Sequence, residues 1–160
     1  MLADQADVSA FLRVRAISAF LAAIENYPTS AFVYQVAEAH CNLAQVLCQH
    51  GVGMESDFQE IYLKRALDSY EMASKFFTAE RHPIRWAYIQ MCMGGIFATH
   101  AQIAITEIAA NDYAEATERF GAAAKIFHSS NETEYAEFCD AGIKKINELK
   151  EKSHAAGGRP

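Results

Sequence analysis

One helical pattern returns three times along this chain, at intervals of about fifty residues. It is centred on Ala16, Ala66 and Ala116. An aromatic follows four residues on (Phe20, Tyr70, Phe120), an alanine seven on (Ala23, Ala73, Ala123) and an aromatic eleven on (Tyr27, Phe77, Phe127). Between these copies Val36-Ala37, Trp86-Ala87 and Tyr135-Ala136 each open a helical run with a large apolar residue and an alanine. A repeated unit of paired helices cannot bury its apolar face alone and must stack on its neighbours. The expectation is an all-α protein, an α-solenoid of antiparallel helix pairs with about six helices. Such stacks usually bind rather than catalyse.

Punctuation sets the expected helices. The first runs from about Val8 to Asn26, capped by Asp7 and stopped at Tyr27-Pro28, because the residue before proline disfavours helix. The second covers about Ser30–His50 and ends at Gly51. Ser56 with Gln59 has capping-box spacing and starts a third helix that continues to about Thr78. Pro83 suits the first turn of a fourth helix reaching Ala109. Asn111 caps a fifth over Asp112–His128, and Asn131 with Glu134 repeats the cap-plus-acid signature for a sixth ending near Lys152. Residues 1–152 are read as one domain and 153–160 as a flexible tail. No strand alternation and no interdomain linker is visible.

Of the 160 residues, 51% are apolar, enough for an ordered core, and three prolines leave long uninterrupted stretches. The net charge of −6 is too acidic for a general nucleic-acid binder. Basic residues gather in Lys64–Arg85 and Lys144–Lys152, a distribution that fits solvated helix faces. The start has no basic n-region or apolar h-region, so no secretory signal is expected. Tyr88–Thr106 carries no formal charge, but Gln90, His100, Gln102 and Gly94-Gly95 make it too polar for a lipid-facing span. Cys41, Cys48, Cys92 and Cys139 fall within helices rather than loops, which speaks against a disulfide framework. A reduced, cytoplasmic protein follows.

These residues resemble the tetratricopeptide repeat. Its first helix carries W-x-x-L-G-x-x-Y, whose Leu–small–x–x–large part stands here as Leu43-Ala44-x-x-Leu47 and Met93-Gly94-x-x-Phe97. Its second carries A-x-x-x-F/Y-x-x-A, present as Ala66-x-x-x-Tyr70-x-x-Ala73 and Ala116-x-x-x-Phe120-x-x-Ala123. Pro83-Ile-Arg-Trp86-Ala87-x-x-Gln90-x-x-Met93-Gly94 is similar to a bacterial subgroup reading P-x-x-W-A-x-x-Q-x-x-L-G. The usual repeat of about 34 residues is exceeded, so the helices must be longer by two turns or more. The chain opens on a second-type helix with no first-type partner before it. The last helix reads Gly142-Ile143 with Lys144 and Lys145, like a polar end cap.

The resemblance implies a ligand along the face built by first-type helices: Glu38, Cys41, Gln45, Cys48 and Gln49, then Tyr88, Met91, Gly95, Ala98 and Thr99, with Glu137, Asp140 and Lys144 continuing it. This surface lacks the basic clamp that holds a peptide carboxylate in some relatives, so an apolar or amphipathic protein segment is the better-matched partner. The function expected is a non-catalytic adaptor or scaffold for protein binding. The alternative is a self-assembling homo-oligomer, joined through an apolar stripe on the first helix at Phe11, Leu12, Ile17, Phe20 and Leu21.

Other chemistry finds little footing. His40, Cys41, Cys48 and His50 lack the short CxxC or HxxxH spacing of zinc sites. There is no Glu-x-x-His for a di-iron bundle and no phosphate-cradling glycine loop. No catalytic residue, metal, cofactor or membrane partner is expected. His50 and His100, at equivalent positions near helix ends, are read as structural, facing exposed carbonyls.

Overall fold

The computed structural model describes residues 2–28, 30–52, 54–104 and 106–157. It is all-helical, with six helices and no strand among the described residues: α1 (Leu2–Asn26), α2 (Val33–Gly51), α3 (Ser56–Ser74), α4 (Pro83–Ile103), α5 (Thr106–Ser129) and α6 (Thr133–Gly157). The chain divides into two compact units, Met1–Thr78 and Ala79–Pro160.

In the first unit α2 packs against α1 on one side and α3 on the other. The turn before α2 folds around Pro28, whose carbonyl accepts from the Ala31 and Phe32 amides at 3.0 and 3.1 Å, and Tyr27 lies against Phe32. Ala66, Tyr70, Ala73 and Phe77 are almost fully buried, as the recurring pattern requires. Tyr34, from the first turn of α2, meets Phe76 and Phe77 edge-on and closes the far end of the α2/α3 pair.

The second unit is built the same way. Here α5 packs on both α4 and α6, and α4 also touches α6. Its core gathers Ala87, Ala116, Phe120, Ala123, Phe127, Ala136, Cys139 and Ile146. Phe127 reaches Tyr135 across the α5–α6 turn, and Tyr135 meets Tyr88. The Phe120 ring sits between two glycines. A Cβ on Gly94 of α4 would lie 3.1 Å from it, and one on Gly142 of α6 only 2.9 Å. The small-beside-aromatic pairing read from the sequence is therefore real packing, with the ring gripped from both flanking helices.

Several expected boundaries move. Helix α4 stops at Ile103 and α5 begins at Thr106, so Asn111 lies inside α5 and caps nothing. Asp112, expected at the start of the fifth helix, lies well inside it, is buried and accepts a 2.6 Å hydrogen bond from Nδ1 of His100 on α4. Ser56 does not form the expected capping box: Glu55 is the N-cap residue, and the Ser56 hydroxyl bonds Asp57 instead. Asn131 is not an N-cap either. At φ 59° it ends α5. Its amide donates to the His128 carbonyl at 3.4 Å and the Glu132 amide to the Phe127 carbonyl at 2.9 Å, the paired bonds of a Schellman stop. Asparagine takes the left-handed position usually given to glycine. Pro83 does open α4. Helix α6 continues past Lys152 to Gly157; the final three residues of the expected tail lie outside the described residues.

Candidate partner-binding surfaces

The expected surface on α2 is mostly open. Gln45 and Gln49 are exposed, and Glu38 and Cys48 are half-buried. Cys41 is the exception: it turns inward and is buried, so it cannot meet a partner. With Gln35 and Asn42, also exposed, these residues follow a three-to-four spacing that puts them on one face of α2. That face is polar and rich in side-chain amides.

On α4 the corresponding residues are less open. Tyr88, Gly95, Ala98 and Thr99 are half-buried, and Met91 is buried within the core of the second unit. The Thr99 hydroxyl is occupied by the Gly95 carbonyl at 2.8 Å. Burial, with the Cys92 thiol beside it, raises the Tyr88 phenol above its ordinary value. Arg85 adds a cation beside this face, its guanidinium 5.6 Å from the centroid of the Tyr88 ring. A second cation comes from the neighbouring helix. Arg119 of α5 donates to Gln90 at 2.9 Å, faces Phe97 and pairs with Glu115, so the glutamine of the P-x-x-W-A-x-x-Q segment is held by its own unit. Glu137, Asp140 and Lys144 on α6 are exposed, and Asp140 is bonded to His128 at 3.0 Å.

The stripe expected for self-association splits. Phe11 and Leu12 are 61% and 56% exposed. Ile17 is buried, and Phe20 and Leu21 are half-buried, because α2 packs on that side of α1. The outward face instead continues through Val8, with Val14 at its flank.

Sequence reasoning missed the groove over α2. Helices α1 and α3 both lean on α2 and leave between them a cavity of about 230 Å³. Leu43 and Leu47 form its floor, with Leu21 and Ile24 on the α1 wall and Met72 and Ser69 on the α3 wall. Arg65, Asp68 and His40 complete the lining. The buried Nδ1 of His40 has no hydrogen-bond partner among the described residues, and burial, with Lys75 adding to it, pushes this histidine below its ordinary value. His40, Leu43 and Leu47 lie at three-to-four spacing and were legible as one helix face. That this face stays partly uncovered follows only from the separation of α1 and α3.

No protein-family model, curated protein or solved structure matches this chain.

His50 and His100 do not simply face helix-end carbonyls. His50 is buried with its ring edge-on to Tyr62 at 4.8 Å between centroids, and His100 bonds Asp112. Tyr62 and Asp112 occupy the same position in successive repeats, so one structural device is built with two chemistries. Among the described residues no group of three or more His, Cys, Asp and Glu side chains could hold a metal, and no helix is long and apolar enough to cross a membrane.

Proposed function

We propose that this protein is a non-catalytic scaffold of the tetratricopeptide type that binds a partner protein through an apolar or amphipathic segment. The reading rests on the groove over α2. Five aliphatic or thioether side chains line a cavity large enough for one or two partner side chains, and Arg65 and Asp68 stand beside it as polar anchors. A groove held by three packed helices is preorganised, which lowers the ordering cost of binding. The recurring helix pairs supply that rigidity. The amide face lies on the opposite side of α2 and offers a separate, more polar surface.

The test is affinity capture from native extract with wild type and two variants of preserved helicity. Met72→Arg fills the groove, and Gln45→Arg alters the amide face. Loss of a captured protein with Met72→Arg alone supports the groove. Loss with Gln45→Arg alone moves binding to the amide face, and equal capture by all three forms would sink the proposal.

A further inference from the structure

Helix α1 carries the recurring pattern, but among the described residues α2 is the one helix packed extensively on it, and a further face of α1 is left open. In α5 the same pattern is enclosed from two sides, with Phe120 between Gly94 and Gly142. In α1, which packs on α2, Ala16, Phe20 and Ala23 are only half-buried and Tyr27 is exposed. Further out, Val8, Phe11 and Leu12 are each more than half exposed.

The arrangement of this face indicates what covers it. Positions 8, 11, 12, 15, 19 and 22 share one side of a helix. Read along that side, the N-terminal half is large (Val8, Phe11, Leu12) and the C-terminal half is small, with Ala19 and Ala22 both exposed. Arg15 stands between the halves. A face that is large at one end and small at the other becomes its own complement when turned end for end. We propose that a second copy of this chain covers α1, the two α1 helices lying antiparallel about a twofold axis at Arg15. Phe11 of each copy then meets Ala19 of the other, and Val8 meets Ala22, repeating between molecules the large-against-small contact that Phe120 makes within one. Such a contact is isologous and closes at two copies.

Charge and area agree with this occupant. The Arg15 guanidinium lies 5.8 Å from the centroid of its own Phe11, drawn toward the helix N-terminus. In the antiparallel pair the two guanidinium groups therefore fall on opposite sides of the axis, each over an aromatic ring. The exposed parts of Val8, Phe11 and Leu12 amount to roughly 300 Å² per copy, comparable to the largest apolar patch of an ordinary monomer. Doubled, and with the alanines and arginine stems added, the contact reaches about 1,000 Å², the lower bound for a specific interface. A contact of this size fits a weak, reversible dimer.

The experiment is sedimentation equilibrium on the full chain from about 5 to 500 μM, with helicity checked for each form. Wild type should pass from monomer to dimer within that range. Leu12→Lys should weaken the dimer by about tenfold or more. Ala19→Phe should do the same although it enlarges the apolar face, and Phe11→Ala combined with Ala19→Phe should restore association, because large and small simply exchange ends. Met72→Arg should leave the dimer unchanged, which separates this proposal from the groove. A wild type that stays monomeric throughout would overturn it, as would a dimer indifferent to Ala19→Phe or one that the double variant fails to restore.

Discussion

Phe120 and Gly142 approach so closely that a methyl group on the glycine would sit 2.9 Å from the ring edge, and Gly94 blocks the ring from the other side. The ring cannot move away from one glycine without meeting the other. Overpacking of this kind costs about 1–3 kcal/mol, more than alanine's helix-propensity gain of up to about 1 kcal/mol. Gly142→Ala should therefore lower the urea midpoint, with Gly94→Ala acting in the same direction. Gly95 and Gly121 have open space where a Cβ would go. Gly95→Ala and Gly121→Ala should raise the midpoint by an amount equivalent to roughly 0.5–1 kcal/mol.

Asn131 holds the left-handed turn that ends α5. Asn131→Ala should destabilise by about 1–2 kcal/mol, since a Cβ without the side-chain amide is strained there. Asn131→Gly should be neutral or slightly stabilising. Thermal unfolding of the two variants checks this, and an Asn131→Gly protein as unstable as Asn131→Ala would contradict the left-handed role.

His40 ties stability to pH. Burial, with Lys75 adding to it, lowers its folded value from the ordinary 6.5, so the unfolded chain takes the proton first. The stability this histidine contributes is present above pH 6.5 and is lost as pH falls from there through the lowered folded value. Wild type should lose more stability than His40→Gln between pH 7.5 and 5. Parallel urea curves for the two proteins would contradict this.

The four cysteines should react in two classes. No disulfide joins Cys41, Cys48, Cys92 and Cys139; Cys41 and Cys139 are buried, while Cys48 and Cys92 are half-buried. Burial and the nearby Asp140 push the Cys139 thiol up to about 11, leaving little thiolate at pH 8. Mass-spectrometric mapping of alkylation in native buffer should find Cys48 and Cys92 modified first and Cys139 among the last. Early modification of Cys139 would mean that the second unit opens far more readily than its packing implies.

Ala66, Tyr70, Ala73 and Phe77, with their counterparts fifty residues on, were legible as core because helical periodicity and small-beside-large spacing are local properties. Pro83 was legible for the same reason: its ring fixes φ wherever a first turn can form. The break at Ala104 was not, because the run through Ile103 contains no proline and ends in residues that tolerate helix. Asn131 misled because asparagine serves equally as an N-cap and as a left-handed stop, and the direction of the following chain decides between them.

By itself the sequence determined that this protein is helical, which residues recur, and which stripe of each helix is apolar. Tertiary structure decided how much of each stripe is covered. The pattern at Ala16–Tyr27 matches that at Ala116–Phe127, yet Phe120 is enclosed by helices on two sides while α1 rests on α2. Burial belongs to the number and placement of neighbours, and a local pattern encodes only the readiness to be buried. The groove over α2 has the same origin, since its lining comes from three helices that become adjacent only on folding.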